Sequence, residues 1–423
     1  MNRSDLVRLV TLAPGHFHAA LVQKQVLPGV DPHVHVYAPE DGDLVAHMER
    51  IKGFNTRAEQ PTNWVTDVHS GPDWLEQFVA DKPGNAVVIA GRNRPKIDLI
   101  LAAVSNGYCV LADKPWVVEP ADFAKLEQVF AEADRNSVFA CDVMTERWEA
   151  TNRLQRKLMR DAEVFGKLEP GTAEEPGLVF ESIHSLSKRV AGAPLRRPTW
   201  WFDPAIAGEA VADVGTHLAD LAIWLAFPDE AIDYRRDVEV IDAERWPTKI
   251  DREAFWEITG LKQIPEELSH LKEGDTLTYW GNGRVLFRIR NQFVRFTTRW
   301  GVRPVGPDVD THQTTARGSK ATISILHDPK YGRGPQVFLT PRRGKGSLHV
   351  DVPAAKRSGH ESHFAAVLGE FVRYFQDRAQ IPAWERPNLL AKYFITTKAV
   401  EKAQARTPPV QASGQPVQQS WEL

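Results

Sequence analysis

Short apolar runs rich in β-branched residues alternate with helical stretches over the first third of this 423-residue chain. The clearest runs, residues 85–90 and 108–112, are bounded by Gly, Pro, Asn and Asp, as strands buried in a parallel sheet are. Strands that alternate with helices in this way build a doubly wound parallel sheet. We therefore predict an α/β domain over residues 1–145, whose last strand covers residues 138–142.

Polar residues follow both of these strands directly. Gly91-Arg92-Asn93 comes after the first strand, and Asp113-Lys114-Pro115-Trp116 comes after the second. The carboxyl ends of parallel strands meet at one edge of the sheet, where open α/β proteins bind their ligands. These residues are therefore candidates for a binding site at that edge.

A helical segment farther along the chain carries a candidate acid/base pair. Apolar residues recur at helical spacing over residues 208–225. Asp213 and His217 are four positions apart, so both lie on the same face of that helix. A carboxylate beside an imidazole can tune it for proton transfer near neutral pH. The alternatives are a buried histidine satisfied by its neighbour and an ordinary surface ion pair.

Together, the two motifs resemble those of the Gfo/Idh/MocA family, the relatives of glucose-fructose oxidoreductase and inositol dehydrogenase. The resemblance covers residues 7–230. That family has Glu-Lys-Pro at this strand end and Asp-x-x-x-His on a helix of its second domain. Here Asp113 replaces the glutamate. The residues that match are Lys114, Pro115, Asp213 and His217.

The resemblance also implies the architecture of the whole chain. It implies an N-terminal Rossmann domain and, over residues 146–405, a C-terminal α/β domain with an open-faced, largely antiparallel sheet. Relatives often use this sheet for oligomer contacts, so we expect a homo-oligomer, a dimer or a tetramer, assembled through it. Gly281-Asn282-Gly283 predicts the turn of a hairpin within residues 276–298. Residues 406–423 are rich in Pro, Gln, Ser and Gly and predict a flexible tail or docking arm.

The loop after the first strand, Ala13-Pro14-Gly15-His16-Phe17-His18, stands where dinucleotide-binding folds carry G-x-G-x-x-G. Only Gly15 fits, at the central position that lets the backbone approach a pyrophosphate. Alone, the loop reads equally well as an unspecialised turn. Beside the downstream motifs it resembles the diverged cofactor loop of a sub-group that has Pro-Gly-His-Phe-His. The predicted cofactor-binding residues are Pro14, Gly15, His16, Phe17, Gly91, Arg92, Asn93, Asp113, Lys114 and Pro115.

The cofactor that the resemblance implies is NAD, with NADP less favoured. The second strand, residues 33–38, ends without the Asp or Glu that normally holds the adenosine ribose. Glu40 and Asp41 come one or two positions later. No arginine follows directly to suit a 2′-phosphate, and this favours NAD.

The resemblance assigns catalysis to Lys114, Asp213 and His217. Lys114 would stabilise the developing alkoxide, His217 would take the hydroxyl proton, and Asp213 would orient and tune His217. Nearby aromatic and cationic residues are candidates for sugar contacts, because indole faces stack on sugar rings. Packing between domains explains each tryptophan equally well. The predicted substrate-binding residues are Trp116, Arg147, His184, Trp200, Trp201, Asp213 and His217.

Composition argues against several other classes of function. A net charge of −3 does not mark a nucleic-acid or membrane partner. The apolar runs are strand-sized and the N-terminus has no signal-peptide core, so we expect a cytoplasmic protein. Cys109 and Cys141 fall in predicted buried strands, as small apolar residues do. No Cys/His spacing suggests a zinc site, so we expect no metal.

These observations favour an NAD(P)-dependent oxidoreductase. It would transfer hydride from a secondary hydroxyl of a sugar or glycoside, with C3 favoured, to the nicotinamide. An alternative on the same fold is an NAD-dependent glycoside hydrolase that acts through transient C3 oxidation and elimination. A second alternative is a non-catalytic nucleotide-binding protein, which the poor glycine loop allows.

Overall fold

The structure of the protein is a computed structural model. It describes residues 6–190, 193–304, 310–344, 346–353 and 356–407. Almost all of the predicted tail therefore lies outside the described residues. No helix in the described part of the chain combines the length and apolarity needed to cross a membrane.

The N-terminal domain is a parallel sheet with the strand order β3-β2-β1-β4-β5-β6. Its central strands are fully buried on both faces, as their continuous apolar runs require. The predicted Rossmann fold is confirmed. Its strands are β1 (Leu9–Leu12), β2 (His33–Ala38), β3 (Val65–Ser70), β4 (Ala86–Ile89), β5 (Cys109–Ala112) and β6 (Ala140–Asp142), and its helices are α1 (His18–Val22), α2 (Gly42–Thr56), α3 (Trp74–Asp81), α4 (Lys96–Ser105) and α5 (Phe123–Arg135).

The C-terminal domain is built on a mixed sheet with the path β10-β12-β13-β7-β14-β15-β16-β17, and β11 pairs with β12. All pairs are antiparallel except that of β7 with β13. The predicted largely antiparallel sheet is confirmed. The strands of this sheet are β7 (Leu178–Ser185), β10 (Val238–Ile250), β11 (Lys272–Glu273), β12 (Thr276–Ile289), β13 (Gln292–Gly301), β14 (Thr311–Arg317), β15 (Ala321–Leu326), β16 (Gln336–Pro341) and β17 (Leu348–Val350). Strands β8 (Arg189–Val190) and β9 (Ala193–Pro194) pair with each other in a separate two-stranded sheet.

Seven further α-helices in the described residues surround this sheet and return to the first domain. Helix α8 is apolar on almost all sides and packs against β12 and β13 on one side and α12 on the other. Helix α11 packs against α1 and joins the core of the N-terminal sheet. The helices are α6 (Ala150–Met159), α7 (Pro204–Ala207), α8 (Ala210–Ala226), α9 (Tyr234–Asp237), α10 (Arg252–Thr259), α11 (His360–Gln376) and α12 (Glu385–Arg406).

The predicted turn at Asn282-Gly283 is wrong. Strand β12 runs without interruption through both residues, and the chain reverses at Arg290-Asn291 instead. Arg290 takes the positive φ of 52° that this tight turn demands. The Asn-Gly pair therefore has another role in the middle of a strand.

That role is to join β10, β12 and β13 where the register between β10 and β12 shifts. The Asn282 amide donates to the Trp246 carbonyl at 3.1 Å and to the Thr248 hydroxyl at 2.9 Å. Its side-chain oxygen accepts from the Trp300 backbone N–H at 3.0 Å. At Gly283, a Cβ would overlap the Val211 side chain of α8. The pair thus lets helix and sheet approach closely.

We predict that Gly283→Ala lowers the free energy of unfolding by about 1–3 kcal/mol, the usual cost of overpacking a dense core. The added methyl would overlap buried Val211 and lie 3.1 Å from the Glu244 carbonyl oxygen. Chemical denaturation measures the change. Gly53→Ala is the matched control, because Gly53 lies inside α2 with open space around its Cβ position. The control should gain about 0.5–1 kcal/mol, and equal effects of the two substitutions would contradict the packing argument.

Candidate active site

A cavity of about 360 Å³ lies between the carboxyl edge of the N-terminal sheet and the C-terminal domain. Both domains line it, with residues from the loop after β1, the end of β5, helix α8 and strand β7. Seven of the chain's 14 histidines reach its walls. Groups able to exchange protons are therefore concentrated in this one place.

Lys114 and Asp213, which lie about a hundred residues apart in sequence, meet in this cavity. Lys114 Nζ donates to Asp213 Oδ1, and the lysine side chain is buried. Burial opposes ionisation of Asp213, but the Lys114 ammonium outweighs burial and lowers the pKa of Asp213 below its ordinary value. The site thus holds a charged pair, one partner from each domain. The Lys114–Pro115 peptide bond is cis.

His217 lies one turn beyond Asp213 on α8 and also lines the cavity. Burial first, and then the positive charge of Lys114, hold the pKa of His217 well below 6.5. The imidazole is therefore neutral at neutral pH and able to accept a proton. Its Nδ1 atom is buried without a hydrogen-bond partner among the described residues.

The predicted pairing of Asp213 with His217 is wrong. Asp213 faces the ammonium of Lys114, and no hydrogen bond between Asp213 and His217 occurs in the described part of the chain. A full positive charge attracts a carboxylate more strongly than a neutral imidazole does. Asp213 therefore positions Lys114, and burial rather than Asp213 sets the protonation of His217.

Two histidines of the predicted cofactor loop converge on Asp113. His16 Nδ1 and His18 Nδ1 lie 3.1 and 2.9 Å from Asp113 Oδ2. Burial lowers the pKa of His18 to about 3, and the pKa of His16 is also lowered, chiefly by burial. Burial opposes ionisation of Asp113, but the proximity of His18, the hydrogen bonds from both imidazoles and the charge of Lys96 outweigh burial and hold the pKa of Asp113 well below its ordinary value. Asp113 thus ties the loop after β1 to the end of β5.

The loops that follow β1 and β4 touch backbone to backbone. A Cβ on Gly91 would overlap the Ala13 carbonyl oxygen, and the His16 N–H donates to the Ala90 carbonyl at 2.9 Å. A Cβ on Gly15 would come within 3.0 Å of Asp43 Oδ2. Gly91 is thus needed for the close approach of the two loops, whereas a Cβ on Gly15 would crowd the end of the Asp43 side chain. Close backbone approach of this kind is what a loop that cradles a pyrophosphate needs.

Charged and polar side chains follow Gly91 at the edge of the sheet. Arg92 pairs with Asp43 at 3.2 Å and with Asp41 at 3.4 Å, both at the start of α2. Asn93 donates to the Ala207 carbonyl of the second domain at 2.6 Å. The sequence prediction missed Asp43; its signal was the pair of carboxylates, Asp41 and Asp43, that opens α2.

The paired tryptophans Trp200 and Trp201 have different surroundings. Trp200 Nε1 donates to Asp43 Oδ1 at 3.2 Å, so it joins the second domain to the start of α2 and does not line the cavity. Trp201 lines the cavity, and the Arg197 guanidinium lies 4.2 Å from its ring centroid. His184 also lines the cavity, with its ring stacked 4.6 Å from that of Trp300. Trp201 and His184 are thus placed where a substrate contact is possible.

The structure contradicts the prediction that Trp116 contacts the substrate. The Trp116 side chain is fully buried, and its ring stacks between those of Phe130 and Tyr393 at 6.4 and 6.0 Å. The indole N–H donates to the Ala112 carbonyl at 3.1 Å. Trp116 is therefore a core residue beneath the site.

The structure also contradicts the prediction that Arg147 contacts the substrate. The Arg147 Nε and Nη2 atoms donate to Asp220 at 2.7 and 2.6 Å, and its Nη1 donates to Glu385 at 2.9 Å. The guanidinium is therefore occupied by two carboxylates and lies away from the cavity walls. Its role is structural.

Glu146, the residue before Arg147, lines the cavity, and the sequence prediction of site residues missed it. Burial first, and then the charge of Glu149, raise the pKa of Glu146 to about 7. Lys188 and Asp310, which pair at 2.7 Å, also line the cavity and were also missed. Glu146 had a signal, since it directly follows the last parallel strand. Lys188 and Asp310 had none, because the fold of the second domain brings them together.

A buried ion network fixes α8 relative to the first domain. Lys392 on α12 is wholly buried, and its Nζ lies 2.7 Å from Asp142 at the end of β6 and 2.9 Å from Asp220 on α8. Asp220 also binds Arg147, which in turn binds Glu385. Each buried charge has an opposite partner, as burial in a low-dielectric interior requires.

Comparison with known proteins identifies the family. The family model described as "Putative oxidoreductase C terminal domain" matches residues 154–347 and 335–404. The crystal structure of a putative oxidoreductase from Parabacteroides merdae is 40% identical, covers 95% of this chain and 98% of its own, and superposes with a TM-score of 0.91. The chain therefore belongs to this family of oxidoreductases.

More distant structures share the fold. A 3-ketoreductase from Actinomadura kijaniata, in complex with NADP and TDP-benzene, is 15% identical over 92% of this chain and 96% of its own, with a TM-score of 0.56. An oxidoreductase from Agrobacterium radiobacter, in complex with NAD⁺, L-tartaric acid and magnesium, is 11% identical over 94% and 96%, with a TM-score of 0.59. A comparison with curated proteins finds no match.

We predict that Lys392→Met lowers the free energy of unfolding by about 3–5 kcal/mol, because it leaves the buried Asp142 and Asp220 without their common cation. Lys398→Met is the matched control on the same helix. Lys398 is exposed and pairs with Glu401, so the control should change stability by less than about 0.5 kcal/mol. Denaturant melts of the two variants measure the difference. A Lys392→Met variant as stable as the control would show that the network does not hold the domains together.

Proposed function

We propose that this protein is an NAD(P)-dependent dehydrogenase that oxidises a secondary hydroxyl of a sugar or glycoside, with C3 favoured. The observation that carries the proposal is the meeting of Lys114, Asp213 and His217 in one cavity beside the loop around Gly15. A charged donor and a neutral base at a sheet edge suit removal of a hydroxyl proton. The oxidoreductase family of the chain supports the same reading.

A nicotinamide dinucleotide fits the residues at this edge. The backbone around Gly15 and Gly91, where a Cβ would clash or crowd, would hold the pyrophosphate. Asp41 and Asp43 would hold the ribose hydroxyls. Together with Arg92 these carboxylates carry one net negative charge, which disfavours a 2′-phosphate and supports NAD over NADP.

In this mechanism, residues of the chain itself remove the hydroxyl proton. When bound, the nicotinamide would supply the acceptor for the hydride of the carbinol carbon. Lys114 donates a hydrogen bond to the reacting hydroxyl oxygen and stabilises the negative charge that develops there. His217, neutral at physiological pH, accepts the hydroxyl proton. Asp213 keeps the ammonium of Lys114 in place.

The cavity supports a neutral sugar rather than an anionic ligand. Two of its cations already have carboxylate partners, Lys114 with Asp213 and Lys188 with Asp310. Trp201 and the stacked His184–Trp300 pair offer aromatic faces of the kind that pack on sugar rings. A volume of about 360 Å³ has room for a small ligand.

Glu146 favours one second candidate, the NAD-dependent glycoside hydrolase. Elimination after C3 oxidation needs a base for the acidified C2 proton. A cavity carboxyl with a pKa of about 7 is half ionised at neutral pH and suits that step. We favour the dehydrogenase, because every group that it requires is present without Glu146.

Location and assembly complete the proposal. Cys109 and Cys141 are free, which agrees with a reducing cytoplasm. One face of the C-terminal sheet packs on α8, and arginines such as Arg284 and Arg288 stand on its other, more open face. We propose that this open face makes the contact between copies in a dimer or tetramer.

We expect His217→Ala to lower turnover by about 10²-fold or more, the usual scale for a general base, while calorimetry shows nearly unchanged NAD affinity. Because the pKa of His217 is lowered well below 6.5, the imidazole stays neutral as pH falls from 8 to 6.5. The wild-type oxidation rate should therefore lose nothing to His217 over that range. Near wild-type turnover in the variant would demote His217 to a structural role. Absence of NAD and NADP binding at millimolar concentration would favour the non-catalytic alternative.

A panel of aryl glycosides separates dehydrogenase from glycosidase when absorbance at 340 nm and released aglycone are followed together. We expect one NADH for each glycoside oxidised, with the glycosidic bond intact, and Glu146→Gln should retain this activity. A glycosidase would instead release aglycone under catalytic NAD. That release would rise with pH through about 7, as Glu146 ionises, and would be lost in Glu146→Gln. This second pattern would overturn the dehydrogenase proposal.

A further inference from the structure

A second cluster of histidines lies on the N-terminal sheet, outside the cavity. His33 and His35 alternate along β2, and Asp67 and His69 alternate along the neighbouring edge strand β3. Residues two apart on a strand point to the same face, and the parallel register places His35 directly beside Asp67. Four side chains able to bind a metal therefore share one face of two paired strands.

The potential ligand atoms lie at the separations that a small cation demands. His33 Nε2 is 2.8 Å and His35 Nδ1 is 3.9 Å from Asp67 Oδ2, and His35 Nδ1 is 3.3 Å from His69 Nε2. The ligand atoms of His33, His35 and Asp67 all lie within 4.8 Å of one another. Four ligands at 2.0–2.1 Å from a tetrahedral zinc ion stand about 3.3 Å apart. His69 lies outside this group of three, so its side chain has to approach His33 and Asp67 for its Nε2 to become the fourth ligand.

The surroundings of the cluster suit a cation. Among the ion pairs of the described residues, Asp67 pairs only with histidines. The His35 side chain is largely buried, and its ring lies between those of His33 and His69, with centroids 5.0 and 5.6 Å away. The His69 ring is held by stacking on Tyr37, with centroids 4.3 Å apart and planes at 4°. Two of the four ligands thus have defined surroundings before any metal arrives.

The other His-His-Asp group differs in its charged neighbours. His16, His18 and Asp113 also lie close enough to share an ion. However, the ammonium groups of Lys96 and Lys114 act on that group, and their positive charge opposes a divalent cation. Of the two groups, the one on β2 and β3 is the better metal site.

We propose that His33, His35, Asp67 and His69 bind one zinc ion that clasps the edge strand β3 to β2. His33 Nε2, His35 Nδ1 and Asp67 Oδ2 are three ligands, and His69 Nε2 is the fourth. Strand β3 gains most from such a clasp, since none of the described strands pairs with its outer edge and its Val65 and Val68 are exposed. The sequence prediction of no zinc site considered spacing along the chain, which does not reveal ligands assembled from two strands.

Zinc titration of the untagged, EDTA-treated full-length protein tests the proposal by calorimetry. We expect one zinc ion per chain, release of protons on binding, and a melting temperature that rises with zinc. His35→Gln and Asp67→Asn should each weaken binding by about tenfold or more, since even outer-shell partners are worth that much, and should abolish the zinc-dependent rise. His270→Gln is the matched control, because His270 faces a single carboxylate, Asp203, at 3.6 Å.

Three outcomes would overturn the proposal. The first is no binding at zinc concentrations up to about 100 μM, where a structural site is saturated. The second is equal affinity in the wild type, His35→Gln and Asp67→Asn, which would place the zinc elsewhere. The third is zinc-dependent dimerisation, seen by light scattering, with one zinc per two chains, which would make the cluster half of a site between copies. Circular dichroism of each variant without zinc confirms that loss of binding does not reflect loss of fold.

Discussion

The rest of the site depends on the ion pairs that the buried ammonium of Lys392 makes with two carboxylates. This ammonium lies between Asp142, at the end of β6, and Asp220, on α8, and so joins the two domains where both approach the cavity. Three buried charges are costly to desolvate, and only a close arrangement with opposite partners offsets that cost. Because Asp220 is one turn from His217 and two from Asp213, the network also sets how far these residues extend toward Lys114.

The Lys114–Asp213 pair shows how that placement determines chemistry. Helical spacing put Asp213 beside His217, yet the carboxylate turns to an ammonium from the other domain. In a buried site the charged pair wins over the neutral one. The consequence is a division of roles that a helix alone cannot produce, with a cation held for the developing oxyanion and an imidazole kept neutral by burial and by the same cation. The contact between the two domains creates this arrangement, and neither motif does so alone.

The sequence allowed the parallel sheet, helix α8 and the strand-end residues to be predicted, because each follows from local periodicity or from where a strand ends. Errors arose where distant residues decide the outcome. The pair Asn282-Gly283 has the sequence of a turn. In the structure, however, the Asn282 side chain bonds to the two neighbouring strands, and the absence of a side chain at Gly283 lets α8 pack closely. Trp116 and Arg147 lie near the motifs or the strand ends in sequence, yet Trp116 is buried in the core and Arg147 binds the carboxylates of Asp220 and Glu385. Adjacency in sequence does not determine which way a side chain points.

The two His-His-Asp groups extend this argument from geometry to charge. Each places two imidazoles around one carboxylate within a few ångströms. At Asp113 burial first, and then nearby charges that include Lys114, keep the imidazoles neutral, and they serve as hydrogen-bond donors that hold a loop. At Asp67 the described ion pairs include no lysine or arginine, and the side chain is half exposed to solvent. The same set of two histidines and one aspartate therefore holds a loop at one end of the sheet and leaves room for a cation on its edge. The charges around a cluster, more than its composition, decide which of the two it becomes.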